Sequence, residues 1–190
     1  LRLMRLRFLI MLLAVIMAAG CQPKPRVGYL APEAIGPKGY QVDAGSGVID
    51  TSFIRMSARQ VKKGEETSKL LSALVEKGYI LIALSIENTS GKTVIYKPNL
   101  TVLTNDAFDF LRPLDYTDLY SLDDMEGLEE IKGRFYDLDV TLRPGQRTAK
   151  LLIFRALSKN VKKINLQIDD LYVGTEPIRL TFPFYFKPEA

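Results

Sequence analysis

The sequence predicts an all-β fold: an antiparallel two-sheet sandwich of about seven or eight strands with short helical insertions. Three observations lead there. Apolar and polar residues alternate in several separated segments, and a period of two puts one strand face in a core and the other in water. Clusters of turn-forming residues fall between those segments. Only two stretches carry helical spacing instead.

The chain opens with a different pattern. Its first twenty residues hold Arg2, Arg5 and Arg7, no acidic residue, and an unbroken apolar run from Phe8 to Ala19. A membrane-spanning helix needs roughly 20 apolar residues, so this run is too short to span. A basic start, a short apolar core and the small residues Ala18, Ala19 and Gly20 are the parts of a secretory signal peptide over residues 1–20. Cys21, the only cysteine, follows at once. Ala18-Ala19-Gly20-Cys21 resembles the lipobox of bacterial lipoproteins, with Ala18 where leucine is usual. The resemblance implies cleavage between Gly20 and Cys21, a diacylglycerol on the Cys21 thiol and an acylated amino group. Gln22 in place of aspartate implies the periplasmic face of the outer membrane rather than the inner membrane. Two or three acyl chains hold a protein stably where one holds it only marginally. The plainer alternative is an ordinary signal peptide followed by a chance cysteine.

Residues 21–46 carry Pro23, Pro25, Pro32 and Pro37 with Gly28, Gly36, Gly39 and Gly45, and show no apolar period. They are expected to form a tether, on the order of 80 Å if fully extended. The folded domain is expected over residues 47–190. Val48 to Met56 is a weak strand. Thr67 to Lys77 places Leu70, Leu71, Leu74 and Val75 on one helical face, and Gly78 closes it. In Tyr79 to Glu87, Ile80, Ile82, Leu84 and Ile86 share one face, and Leu81, Ala83, Ser85 and Glu87 share the other. Asn88-Thr89-Ser90-Gly91 turns the chain into weak strands at Thr93 to Tyr96 and Leu100 to Thr104.

Asp115 to Gly133 spaces Leu119, Leu122, Met125, Leu128 and Ile131 by three, which predicts one or two short helical turns packed on the sandwich. Leu138, Val140 and Leu142 alternate with Asp139 and Thr141. Arg143-Pro144-Gly145-Gln146 has Pro and Gly where a type II turn needs them. Leu151 to Phe154 is apolar throughout and suits a strand buried on both sides. Two alternating strands follow, Ile164 to Asp169 and Ile178 to Phe186. Pro183 cannot donate to a ladder, which predicts an edge position for the last strand.

Residues Tyr79 to Gly91 form an apolar strand ending in Asn88 and a polar turn, and Leu142 to Phe154 form a Pro-Gly turn and an apolar strand ending in Phe. Together these resemble the signatures of a family of immunoglobulin-like domains of unknown function, found on secreted bacterial proteins, antigens and lipoproteins. The resemblance spans residues 47–186. It implies an immunoglobulin-like sandwich and supplies no catalytic residues.

Composition narrows the function. The chain holds 26 basic and 22 acidic residues. Removing Arg2, Arg5 and Arg7 with the signal leaves 23 against 22, a near-neutral protein with no charge footprint for nucleic acid. The absence of histidine excludes Ser-His-Asp and Cys-His catalysis and imidazole metal sites. Acylation of Cys21 would remove the one thiol. No enzyme activity and no cofactor are expected.

Nine carboxylates lie between Asp106 and Glu130, with Arg112 the only basic residue before Glu130 in that segment. Carboxylate oxygens bind hard cations, and Asp118, Asp123, Asp124 and Glu126 are the candidate ligands. Met125 stands where an EF-hand would place its second ligand, and a solvated helical insertion is the plain alternative. Tyr116, Tyr120 and Tyr136 are candidate interaction residues, because interfaces are enriched in tyrosine. The expectation is therefore a membrane-anchored, non-enzymatic envelope protein that binds another envelope protein. The alternative is a lipoprotein that binds a cation or small ligand through residues 106–130.

Overall fold

A computed structural model describes residues 28–121, 125–158 and 161–188. Twelve strands occur among them: β1 Gly28–Pro32, β2 Tyr40–Asp43, β3 Ser46–Asp50, β4 Ile54–Gln60, β5 Ile80–Asn88, β6 Val94–Tyr96, β7 Thr101–Asn105, β8 Phe110–Leu111, β9 Val140–Leu142, β10 Arg147–Phe154, β11 Lys163–Val173 and β12 Glu176–Pro188. Three α-helices accompany them, α1 Lys69–Glu76, α2 Tyr116–Tyr120 and α3 Met125–Ile131, with one 3-10 turn at Pro98–Leu100.

The strands form two antiparallel sheets stacked as a sandwich. In the first, β12 lies between β1 and β11. The other flank of β11 is shared by β6 and β7, with β9 beyond β6 and β8 beyond β7. The second runs β10-β5-β4-β3-β2. Alternation decides which side chains meet. Ile80, Ile82, Leu84 and Ile86 of β5 face Leu166, Ile168, Phe182 and Phe184 of the first sheet in one core. Each such buried side chain contributes roughly 1.5–3 kcal/mol through removal from water.

The opposite face of β5 explains a third layer. Leu81, with Ile153 of β10, packs against Leu70, Leu71 and Leu74 of α1, Leu119 of α2 and Leu128 and Ile131 of α3. Leu152 to Phe154 is therefore covered from both sides, as the apolar run predicts, while Leu151 stays partly exposed. Ser68 caps α1 by accepting from the Leu71 amide at 3.2 Å, and Gly78 leaves the helix with φ +86°. The Asp115 to Gly133 segment forms α2 and α3 on this layer. The backbone on either side of it runs along β10, with the Leu114 amide before it donating to Ile153 and the Tyr136 amide after it to Leu151.

Three expectations change. Residues from Gly28 onward, expected as tether, belong to the sheets: β1 pairs with β12 from Gly28↔Pro188 to Pro32↔Phe184. Leu30 is buried, and its amide donates to Gln60 Oε1, tying the two sheets together. Such a strand has no period to read, because it is only five residues long and ends in proline. Twelve strands stand where seven or eight were expected, because β1 and β2 lie in the expected tether, Val48 to Met56 spans two strands, β3 and β4, and β8 is a two-residue strand with no pattern to read. Leu138 is 73% exposed and precedes β9. β12 is not an edge strand along its full length. The Glu33 amide donates to the Pro183 carbonyl at 2.9 Å. In an antiparallel strand a residue's N and O point to the same side, so the missing Pro183 N–H faces the flank that β1 leaves after Pro32. Pro183 stands where β12 becomes an edge.

Candidate functional site

The helical layer covers only part of the second sheet. Across β4, β5 and β10 the outward residues fall into rows set by register. Arg59, Ala83 and Leu151 form one row, Ser57, Ser85 and Ala149 the next, and Arg55, Glu87 and Arg147 the third. Helices cover Leu81 and stop short of Ala83 and Ser85. Small side chains at four successive places leave a shallow trough of about 350 Å³, which Arg59, Arg134 and Lys150 border. The trough continues toward Arg55 and Arg147.

The border has a net positive charge. Arg59 pairs with Glu65 at 2.6 Å, and that bond holds the Glu65 carboxyl below its ordinary range. Arg55 lies 3.8 Å from Asp50. Arg147 Nε donates to Ser85 Oγ at 3.2 Å. Five basic groups thus face four acidic ones, Asp43, Asp50, Glu65 and Glu87. Sequence reading did not find this surface, since it depends on register among three strands separated by up to about ninety residues. The small outward residues of β5 were its one local signal.

The acidic segment is dispersed. Asp106 accepts from the Lys162 amide at 3.0 Å. Asp109 accepts from the Ser158 amide at 3.0 Å and from its hydroxyl at 2.7 Å. These bonds hold both carboxyls below the usual aspartate range. Asp115 and Asp118 form a capping box at the start of α2, and Asp118 lies 3.8 Å from Arg155. Glu129 accepts from the Tyr116 hydroxyl at 2.9 Å and from Lys132. The Tyr116 bond lowers the Glu129 carboxyl, and the same bond raises the Tyr116 hydroxyl. Asp123, Asp124 and the side chain of Glu126 lie outside the described residues. Among the described residues, no group of three or more carboxylates is placed to hold a metal ion.

The three tyrosines part company. Tyr120 is 52% exposed and Tyr116 half-buried. Tyr136 is a core residue at 2% exposure, a correction to its reading as an interaction residue. Its ring meets Tyr96 edge-on with centroids 5.3 Å apart, and its hydroxyl donates to the Leu84 carbonyl at 3.2 Å. Burial pushes that hydroxyl up to about 12. Tyr136 is drawn inside because its amide continues the ladder along β10. Gly20 and Cys21 lie outside the described residues. No helix among the described residues is long and apolar enough to cross a membrane.

No family model matches this chain, and no curated protein matches it. Among solved structures, the crystal structure of the yjhA protein from Bacillus subtilis is similar over 64% of this chain and 76% of its own, at 16% identity and a TM-score of 0.42. A likeness at that score carries no argument about this chain.

Proposed function

We propose that this is a lipid-anchored protein of the bacterial cell envelope that binds another protein and catalyses nothing. The anchor rests on the lipobox-like Ala18-Ala19-Gly20-Cys21 behind a signal-like segment. The binding role rests on the trough of the second sheet, where a floor of small side chains lies open between arginines. A sheet face with that shape accepts an extended segment or a loop, and its positive border favours an acidic one. The sandwich holds the trough rigid and the lipid keeps it at the membrane surface.

Photo-crosslinking in intact cells tests this. A crosslinking residue in place of Ser85 or Ala149 is expected to capture one discrete envelope protein. The same residue at Thr175, in the turn between β11 and β12, is expected to capture nothing discrete. Equal background at all three positions rejects the trough as a binding surface.

A further inference from the structure

Phe108 is 96% exposed, and Phe110 is 64% exposed. Single exposed apolar residues are ordinary, but Phe108 is set rigidly. It occupies the turn between β7 and β8 with φ +61°, a conformation in which a bulky side chain is uncommon. Asn105 Oδ1 accepts from the amides of Ala107 at 2.8 Å and Asp109 at 3.1 Å. Asp106 and Asp109 then bolt the turn to Lys162 and Ser158. The fold therefore holds a strained turn whose tip is a phenyl ring in water.

Strand directions locate this tip. β7 ends beside the start of β11, at Asn105↔Ile164. β12 ends and β1 begins at the same end of the sheet, at Gly28↔Pro188. Six residues separate Gly28 from Cys21, a span of at most about 25 Å. Exposed lysines gather at this end: Lys62, Lys63, Lys162, Lys163 and Lys187. Lys62 Nζ lies 4.5 Å, and Lys187 Nζ 5.9 Å, from the centroid of the Tyr29 ring. The five lysines outnumber the carboxylates nearby: Asp106 and Asp109, which accept from amides, Glu66, which accepts from the Gly64 amide, and Glu65, which Arg59 pairs.

We propose that this end of the sandwich rests on an anionic lipid surface, with Phe108 entering the headgroup region and the lysines meeting the phosphates around it. An apolar tip ringed by lysines matches an interface that is apolar below and anionic above. The proposal rests on the lipid anchor at Cys21. It adds a second contact that orients the domain, leaving the far end, with its Thr175 turn, pointing away from the membrane.

The chain has no tryptophan, so Phe108→Trp supplies a single reporter, with Phe110→Trp as a second and Thr175→Trp at the opposite end as the control. Each full chain, lipidated at Cys21, is reconstituted into vesicles of phosphatidylcholine and phosphatidylglycerol. Brominated acyl chains are expected to quench most of the emission of the Phe108→Trp chain and to shift it blue, leaving the Thr175→Trp chain unchanged. Lys162→Gln with Lys163→Gln is expected to reduce the quenching. A chain that floats with vesicles while the reporters at 108 and 110 stay solvent-like overturns the orientation and leaves the anchor standing. A chain that does not float removes the anchor and the orientation together. Burial of the reporter in cells but not on vesicles assigns the tip to a protein and also overturns the proposal.

Discussion

The side-chain amide of Asn88 donates to the Leu142 carbonyl at 2.9 Å, joining the end of β5 in the second sheet to β9 in the first. The same amide donates to Lys92 O at 2.8 Å, and Asn88 Oδ1 accepts from the amide and hydroxyl of Ser90. Asn88 has no exposed surface. Its backbone pairs with Gln146 and Gly145 of the Pro-Gly turn. One residue thus ties two sheets and two turns.

Asn88→Ala takes the side-chain donor from the buried Leu142 carbonyl, and the turn loses the bonds that Asn88 makes to Ser90 and Lys92. A buried group that loses its partner costs about 1–3 kcal/mol, so the loss expected in urea unfolding is about 2–4 kcal/mol. Asn88→Asp should be no better, since an ionised carboxylate would face the two carbonyls with no donor. A loss under about 0.5 kcal/mol for Asn88→Ala would show that water replaces the side chain.

Tyr136 separates a core role from a surface role. Tyr136→Phe removes the bond to Leu84 and keeps the ring against Tyr96, for an expected cost of about 1 kcal/mol. Tyr136→Ala also opens a cavity and should cost about 3–5 kcal/mol. Tyr120→Ala, at an exposed position, should change stability by less than about 0.5 kcal/mol. Thermal unfolding of the three variants checks the order. Equal effects of the two alanine substitutions would contradict the burial difference.

What was legible in the sequence follows from physics that acts over short separations. β5, β11 and β12 announce themselves because period two needs only neighbouring residues, β10 by its unbroken apolar run, and Ser68 and Gly78 mark α1 by local capping. β1 was unreadable because its place depends on β12, more than 150 residues later. Tyr136 misled for a similar reason: proximity to acidic residues in sequence says nothing about which ladder its backbone extends. The trough and the shared end of Phe108 and Gly28 both arise from register, and neither leaves a local pattern.

Phe108 should be a site of stored strain. Phe108→Gly removes the side chain from a positive φ that costs roughly 1 kcal/mol or more for an L-residue. Part of that gain is lost to the greater freedom of glycine in the unfolded chain. A net gain of about 0.5–1 kcal/mol is expected, a rise of about 2–3 °C in Tm. Phe108→Ala keeps the strained backbone and should give no gain. If both variants melt with the parent protein, the turn is not strained.

Asp106 and Asp109 give the β7–β8 turn a pH dependence with a definite sign. Both carboxyls are depressed in the folded protein by the bonds they accept, Asp106 chiefly from the Lys162 amide and Asp109 chiefly from the Ser158 hydroxyl. A depressed carboxyl stabilises the fold fully above its ordinary value of 3.8, and that contribution is lost as pH falls through the lower folded value. Nuclear magnetic resonance should show both carboxyls titrating below 3.8. Asp109→Asn should abolish its share of this dependence. Titration at or above the ordinary value would mean that the turn is held by something else.

The charge of the trough can be tested apart from its fold. Arg59 and Glu65 form a half-exposed ion pair, and such pairs contribute at most about 1 kcal/mol. Arg134 bonds only weakly, to Thr67 at 3.4 Å. Arg59→Gln with Arg134→Gln should therefore leave Tm within a few degrees of the parent value. Capture of the proposed envelope partner through a crosslinking residue at Ser85 should fall several-fold, because an acidic segment loses two of its positive neighbours. Capture by the parent protein should also fall at higher salt, and the difference from the variant should narrow, since half-exposed charges are screened within about 10 Å at 0.1 M. Unchanged capture with unchanged stability would show that the trough binds by shape alone. Capture lost only together with stability would mean that the arginines serve the fold.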